Sequence, residues 1–196
     1  MYGKFLKRFL DFFVALCSLP FVILIIIFMT PIIYINDPGP IFYNAKRRGK
    51  DGKVFKMFKL RSMYINSPDL RNADGSTYNS DNDPRITKVG RVMRKTSIDE
   101  IPQLINVLIG DMSLIGPRPI LATQPYEELS KLAKERLKIR PGITGYAQAY
   151  YRNSIGEEEK FEKDCYYIEH LSFILDIKIL LKTVISVIKK DNIYVN

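Results

Sequence analysis

The stretch FFVALCSLPFVILIIIFMTPIIYI, residues 12–35, carries no charged side chain and decides the architecture of the chain. As a helix rising about 1.5 Å per residue it reaches roughly 36 Å, enough for a hydrocarbon core of about 30 Å. A cleaved signal peptide fits less well, because the apolar run exceeds the usual ~7–15 residues and no small-x-small cleavage site follows it. The sequence therefore predicts a membrane anchor at residues 1–36.

Basic residues flank this run on both sides, whereas a spanning helix gathers its Lys and Arg on one side. Lys4, Lys7 and Arg8 precede the run, and the cluster at residues 46–50 follows it. Both ends are therefore expected in the cytoplasm.

Ser18 with Pro20, and Thr30 with Pro31, are two candidate breaks in the helix. Each proline lacks an amide donor and its ring clashes with the preceding turn, and the hydroxyls could serve the freed carbonyls. These features favour a re-entrant helix-break-helix over an ordinary spanning helix with tolerated prolines, which stays the alternative.

Composition limits the chemistry. The chain has 196 residues, 46% of them hydrophobic, which suits one domain with an anchor, and its two cysteines indicate neither a disulfide framework nor a zinc site. With His170 as the single histidine, which we assign a structural role, acid–base or nucleophilic chemistry falls to carboxylates. The net charge of +9 calls for an anionic partner: nucleic acid, a membrane surface or a phosphorylated substrate.

The turn sequence DPGP at 37–40 ends the anchor, so residues 37–196 are expected to form one catalytic domain resting on the membrane. The predicted class is α+β, predominantly helical, with a small hairpin and amphipathic interface helices. Strands are expected at 41–43 and 54–58, and a loop that closes over a ligand at 66–84. Helices are predicted at 99–109 (burying Ile101, Leu104, Ile105 and Leu108), at 125–138 and at 171–190. The last is expected in the membrane interface, with a central core helix as the alternative.

The stretch KTSIDEIPQL at 95–104 places Asp99 beside Glu100 at a helix start. Ser97 and Glu100 have the spacing of a capping box, while a cap at Asp99 would suit Pro102 better. A helix start with Arg91, Arg94 and Lys95 upstream could also hold phosphate. From these residues alone, a capping role is favoured over a phosphate site.

Further along, Arg118 stands between two prolines in GPRP, and Arg140 opens RPGITG. An arginine on a stiff loop suits phosphate, because its planar guanidinium binds two oxygens at once.

Taken in order, these segments resemble the bacterial monotopic phosphoglycosyl transferases, which move a sugar-1-phosphate from a UDP-sugar to polyprenol phosphate. The resemblance covers nearly the whole chain and rests on DPGPIF at 37–42, FKLRSM at 58–63, KTSIDEIPQL at 95–104, GPRP at 116–119 and RPGITG at 140–145. Leu60 stands where the family often has Phe, and the family's Ser-Pro break has no single match here. The length resembles the minimal catalytic unit of the family.

The resemblance implies that Asp99 attacks the β-phosphate of the UDP-sugar, that UMP leaves, and that polyprenol phosphate then accepts the sugar-phosphate. It implies Mg²⁺, with Asp99 and Glu100 as ligands and Glu100 as base or metal ligand. The implied phosphate- and substrate-binding residues are Arg94, Arg118, Arg152, Asp176, Lys59 and Arg61. It places the catalytic domain on the cytoplasmic face of the bacterial inner membrane, at the start of polysaccharide or glycoconjugate synthesis.

Two other functions are weighed against this one. A non-enzymatic basic adaptor anchored in the membrane would explain the charge and the apolar run, but not Asp99, Glu100 and Arg118 together. A nucleic-acid binder ranks last, because no nucleic-acid motif is present and Trp is absent.

Overall fold

The apolar segment forms helix α1, Lys7–Asn36, after a π-helical turn at Tyr2–Leu6. The computed structural model describes residues 2–70, 78, 80, 82–152 and 154–189. α1 continues through Pro20 and Pro31, so the predicted breaks do not divide it into two elements. Ser18 and Thr30 donate to the carbonyls of Val14 and Ile26 at 2.8 and 2.7 Å. These are not the carbonyls freed by the prolines, which lie four residues before each ring.

One stripe of α1 packs on the rest of the protein along its whole length. Ala15 joins a core cluster with Phe55, Met57, Val107 and Met112. Near the other end, a second cluster joins Ile33 to Leu60 and Met93. The remaining faces expose large apolar side chains to the outside, among them Phe21, Leu24, Ile27 and Phe28. Within the described part of the chain, α1 alone is long and apolar enough to cross a membrane.

A small antiparallel sheet confirms the predicted hairpin, but its first strand lies later in the chain than predicted. β1, Ala45–Arg48, pairs with β2, Val54–Met57, across a 3-10 turn at Lys50–Gly52. Residues 41–43 are not a strand; Phe42 makes only an isolated bridge to Leu60. The hairpin buries Phe55 and Met57 on one face, as alternation in a half-buried strand requires.

Two helices surround the Asp-Glu pair. α2, Lys88–Thr96, is followed by a 3-10 turn at Ile98–Glu100 and then by α3, Gln103–Ile109. The predicted helix at 99–109 therefore begins later, and Gly110 ends it with φ of 101° as expected. Its predicted inner face is rotated: α3 buries Gln103, Asn106 and Val107, and the predicted core residues Ile101, Leu104, Ile105 and Leu108 are half-buried.

Asn106 explains that rotation. Its amide side chain accepts from Phe58 N at 2.8 Å and donates to Lys56 O at 2.8 Å. A fully buried amide with both functions satisfied ties α3 to β2. A polar residue at helical spacing is normally assigned to the surface, so the sequence pattern left Asn106 out of the inner face, whereas the predicted Leu104 and Leu108 do pack against the core.

The second half combines a parallel strand pair with four helices. β3, Ser113–Ile115, pairs with β5, Gly142–Thr144, while β4, Ile120–Leu121, adds to the free edge of β1. α4 covers only Lys131–Arg136 rather than 125–138, because Ser130 caps it by accepting from Ala133 N. α5, α6 and α7 follow at Tyr146–Tyr150, Glu157–Glu169 and Phe173–Lys189.

α7 confirms the predicted last helix within a few residues. Ile179 is buried against Ile115 and Tyr167, but Ile174, Leu181 and their neighbours on the same helix are exposed. α7 is thus not a central core helix; it presents a wide apolar face outward. About half of the predicted ligand-closing loop at 66–84, residues 71–77, 79 and 81, lies outside the described residues.

Candidate active site

Asp99 and Glu100 lie on the single 3-10 turn between α2 and α3. α2 ends at Ser97, whose φ of 58° reverses the chain direction. Leu60 N donates to the carbonyl of Asp99 at 2.9 Å, which fixes the turn against the segment that carries Lys59. A non-glycine residue in the left-handed region is uncommon, and such residues cluster at functional sites.

Neither predicted capping arrangement forms. Ser97 makes no side-chain capping bond, and Pro102 occupies the N-cap position of α3. The two carboxylates instead meet one ammonium group: Lys59 Nζ lies 3.0 Å from Asp99 Oδ2 and 3.0 Å from Glu100 Oε1. The carboxylates of Asp99 and Glu100 therefore contact the Lys59 ammonium group rather than the N-terminus of a helix.

Burial differs sharply across this trio. The Asp99 side chain is 2% exposed, against 18% for Lys59 and 23% for Glu100. Lys59 donates a hydrogen bond to Glu100, whereas its contact with Asp99 Oδ2 lacks hydrogen-bond alignment. Within the described residues, Asp99 Oδ2 is thus a buried carboxylate oxygen with an ion-pair contact but without a hydrogen-bond donor.

Electrostatics keep Glu100 and Lys59 charged. Burial alone would raise the pKa of Glu100, but Lys59, Arg118 and Arg94 outweigh it and hold that pKa well below the usual value. Burial would lower the pKa of Lys59, but Glu100 and Asp99 outweigh it and raise that pKa, with Arg118 opposing them. Both groups are therefore ionised at neutral pH.

Arg118 and Arg94 lie close enough to Glu100 to lower its pKa, and their role in binding phosphate stays a prediction of the family resemblance. Arg94 Nε donates to Ser62 Oγ at 3.0 Å, and its helix approaches the 62 segment closely because Gly90 faces the Ser62 carbonyl. Arg118 is exposed on the loop between β3 and β4. Lys59, Arg94 and Arg118 thus surround the carboxylates with positive charge.

Two other predicted site residues, Arg61 and Asp176, contact residues other than Asp99 and Glu100. The guanidinium of Arg61 is buried, pairs with Asp37 and donates to Pro40 O. Asp176 is buried in a network that accepts from Tyr2 Oη, Lys7 Nζ and Tyr167 Oη at 2.6, 2.7 and 2.6 Å. Their contacts are structural: they fasten the two ends of α1 to the domain.

Arg152 follows α5 with φ of 46°, and its backbone N–H donates to Ala147 O at 3.1 Å. It lies two residues beyond Tyr150, the last residue of α5. Two residues that no motif singled out, Arg136 and Asp164, contact the main chain of Arg118. They were missed because they sit in unremarkable charged helices, and only the fold brings them to the loop.

Comparison with known proteins gives a consistent family. Residues 2–190 match the family model described as bacterial sugar transferase. The chain is 42% identical to the uncharacterized sugar transferase EpsL of Bacillus subtilis, over 96% of this chain and 90% of that protein. It is 39% identical to the undecaprenyl-phosphate galactose phosphotransferase of Salmonella typhimurium, over 98% of this chain and 42% of that protein.

It is also 39% identical to the UDP-glucose:undecaprenyl-phosphate glucose-1-phosphate transferase of Escherichia coli, over 93% of this chain and 40% of that protein. The chain thus spans most of the Bacillus protein but about two fifths of the other two. It belongs to the bacterial sugar transferase family and is an enzyme of that family. The Salmonella and Escherichia relatives are named as sugar-phosphate transferases, and the Bacillus relative as a sugar transferase. The predicted family resemblance is confirmed.

Proposed function

We propose that this protein transfers a sugar-1-phosphate from a UDP-sugar to polyprenol phosphate and releases UMP, with Asp99 as nucleophile. The observation that carries the proposal is that Lys59 contacts both Asp99 and Glu100, which share one turn, while Arg94 and Arg118 act on Glu100. A non-enzymatic adaptor has no need of two buried-to-half-buried carboxylates under such a concentration of positive charge. The names of the relatives support the same substrates.

In the first step, an oxygen of the Asp99 carboxylate attacks the β-phosphorus of the donor. A bond forms between that oxygen and phosphorus, the phosphorus–oxygen bond to the α-phosphate breaks, and UMP leaves with the electron pair. Arg94, Arg118 and Lys59 offset the negative charge that otherwise repels a carboxylate from a diphosphate. Because Asp99 is 2% exposed beneath Lys59, the lysine has to move toward the donor's phosphates for attack.

In the second step, a phosphate oxygen of polyprenol phosphate attacks the phosphorus of the acyl phosphate. The bond to Asp99 breaks, the carboxylate is restored, and the sugar is left on a polyprenol diphosphate. Splitting the transfer lets a soluble donor and a lipid acceptor use one interfacial site in turn.

The low pKa of Glu100 bears on its role. A general base works best with a pKa near the working pH, whereas Glu100 is held ionised by its cationic neighbours. We therefore assign Glu100 to electrostatic and metal-binding work rather than to proton abstraction.

Asp99 and Glu100 would hold Mg²⁺ together with the donor's phosphate oxygens. Among the residues that the structure describes, no group of three His, Cys, Asp or Glu forms a metal cage. Two carboxylates suit Mg²⁺ nevertheless, since it commonly binds through one or two carboxylates plus substrate phosphates, and Asp99 Oδ2 lacks a hydrogen-bond donor. The bound ion would neutralise charge on the diphosphate.

We further propose that α1 bends at its prolines inside the membrane, so that both of its ends lie on the cytoplasmic face. α1 is tied at its start to Asp176 on α7 and at its end to Arg61. Both ends therefore contact one folded unit, while the apolar sides of α1 and α7 face outward. That supports lipid contact with both ends on one side.

The proposal is tested by incubating the purified protein with undecaprenyl phosphate, Mg²⁺ and UDP-glucose, UDP-galactose or their N-acetylated counterparts. We expect UMP and a lipid-linked sugar diphosphate with at least one donor. Asp99→Asn should abolish both, although Asn keeps the shape of the side chain. Lipid product from Asp99→Asn at the wild-type rate would refute the assignment of Asp99.

A further inference from the structure

The main chain of Arg118 is held by a buried ion pair from two helices that do not themselves reach the carboxylates. Arg136 of α4 contacts Asp164 Oδ2 of α6 through Nε at 2.8 Å and Nη2 at 2.7 Å. The same Nη2 donates to the carbonyl of Arg118 at 2.9 Å. Burial raises the pKa of Asp164, and the backbone N–H of Arg118 is one of the nearby groups that lower it. The pair thus holds the Arg118 carbonyl and places a carboxylate beside the N–H of the same residue.

Asp164 lies beside a second segment as well. The backbone N–H of Ala147 is another nearby group that lowers the pKa of Asp164, and it lies at the start of α5, where the N-cap Gly145 supplies no side-chain bond. α5 leads directly to Arg152. The carboxylate therefore joins the loop of Arg118 to the helix that precedes Arg152, two arginines that the family resemblance assigns to phosphate.

The pair is built to be rigid. Arg136 is 4% and Asp164 2% exposed, and the guanidinium of Arg136 stacks over the Phe161 ring at 4.0 Å. The preceding residue is anchored too, since Gly142 N donates to Pro117 O at 2.9 Å. The exposed Arg118 side chain thus projects from a backbone fixed at successive polar groups, with its charge felt at Glu100 and Lys59.

We infer that Arg136 and Asp164 are positioning residues for the transfer reaction: they set the direction in which Arg118 meets the donor's diphosphate. The inference rests on the proposed function, in which Arg118 binds that diphosphate. A pair that only fastened α4 to α6 would not need to bond the Arg118 carbonyl or to lie beside the backbone N–H groups of Arg118 and Ala147. Buried ion pairs contribute little net stability to a fold. A positioning role therefore explains the presence of the Arg136–Asp164 pair better than a stabilising role does.

A double-mutant cycle separates positioning from stability. UMP release is measured for wild type, Arg136→Lys, Arg118→Lys and the double variant, with the best UDP-sugar of the panel. Lys at 136 keeps the charge but cannot contact Asp164 and the Arg118 carbonyl through a fork. We expect kcat/KM to fall by about 100-fold in Arg136→Lys, the cost of a small misplacement of a catalytic group. In the Arg118→Lys background the same change should cost less than about 3-fold, because coupled residues are not additive.

The matched control is Glu135→Gln on the same helix. Its exposed ion pair with Lys138, at 2.5 Å, touches neither the loop nor α5, so activity should be unchanged. If Arg136→Lys does not fold, Asp164→Asn supplies the same cycle, since it removes the charge and one of the shared acceptor oxygens.

The inference is overturned if the change at 136 or 164 lowers kcat/KM by the same factor in the wild-type and Arg118→Lys backgrounds. It is also overturned if Arg136→Lys or Asp164→Asn has the wild-type kcat/KM. Failure of the proposed function shows differently: Arg118→Lys would itself be fully active, or wild type would release no UMP.

Discussion

Lys59 and Arg61 flank Leu60 in one motif, yet their side chains serve different parts of the molecule. Lys59 bridges the two carboxylates, whereas Arg61 is buried against Asp37 and holds the end of α1. The motif predicted that positive charge belongs here. It could not separate the two roles, because residues two apart in an extended segment share one face, and only the fold shows that these two side chains meet different partners.

Removing the charge of Lys59 should move the pH dependence of activity. Burial favours the neutral carboxyl of Glu100, and Lys59 is the largest influence that opposes it. In Lys59→Gln the pKa of Glu100 should rise by about 1–3 units, the usual effect of one close opposite charge. Because activity needs ionised Glu100, the loss of activity on acidification should begin at a higher pH in Lys59→Gln than in wild type. The acid limb of the pH profile of kcat/KM measures this shift.

Lys56→Gln is the control, because Lys56 is exposed on β2 and forms no contact with the carboxylates. An acid limb at the wild-type pH in Lys59→Gln would contradict the assigned coupling.

At the scale of elements, α2 reaches the site through a close approach to the 62 segment. A Cβ at Gly90 would collide with the carbonyl of Ser62, a backbone group that cannot swing away. Thr87 caps the same helix by accepting from Gly90 N at 2.8 Å. The sequence predicted cationic residues upstream of the Asp-Glu pair. It did not predict the contact of Gly90 with Ser62, because a glycine within a helix does not indicate which segment packs against it.

Gly90→Ala should therefore destabilise the protein by about 1–3 kcal/mol, the usual cost of overpacking, and weaken donor binding by displacing Arg94. Thermal unfolding in detergent and the KM for the donor measure the two effects. Gly156→Ala is the matched change, since a Cβ at Gly156 meets nothing. Equal unfolding midpoints for the two variants would contradict the close packing of α2.

A second element-scale prediction concerns Asp176, which the family resemblance placed among the substrate-binding residues. Its carboxylate accepts from Tyr2, Lys7 and Tyr167, and burial and then this carboxylate raise the pKa of the Tyr167 hydroxyl, which stays a donor. Asp176→Asn leaves Lys7 with only Asp11, 3.9 Å away. We expect a loss of about 3–5 kcal/mol in unfolding free energy, with the KM for the donor unchanged in the folded fraction.

Asp51→Asn, on the exposed hairpin turn, should change neither quantity. A raised KM for the donor with wild-type stability in Asp176→Asn would show that Asp176 acts in substrate binding and not in holding the fold.

For the whole molecule, sequence reasoning found the family, the apolar helix, the hairpin, α7 and the Asp-Glu pair with Arg118 and Arg94. These features depend on local patterns or contiguous motifs. It missed the parallel pairing of β3 with β5, the buried face of α3 and the Arg136–Asp164 pair, because each depends on segments far apart in the chain. It also divided α1 at its prolines, whereas packing along the full length of α1 keeps one continuous helix.

The topology of α1 is tested at the same scale. With Cys17 and Cys165 replaced, single cysteines at positions 4 and 50 should both react with a membrane-impermeant reagent from the cytoplasmic side only. Labelling of position 4 from the opposite side would mean a spanning helix. Replacing Pro20 and Pro31 together by Leu should favour that outcome, since it restores two amide donors and removes the ring clashes that allow a bend, and a straight apolar helix of this length can span.

The central claim is that Asp99 carries the sugar-phosphate between donor and acceptor. The most direct measurement mixes enzyme with Mg²⁺ and the best UDP-sugar, omits polyprenol phosphate, and follows UMP release and intact protein mass together. We predict a burst of UMP stoichiometric with enzyme and a sugar-phosphate adduct on Asp99, both absent in Asp99→Asn. If donor alone yields neither UMP nor adduct while the complete mixture turns over, Asp99 is not a nucleophile, and the lipid phosphate attacks the donor directly.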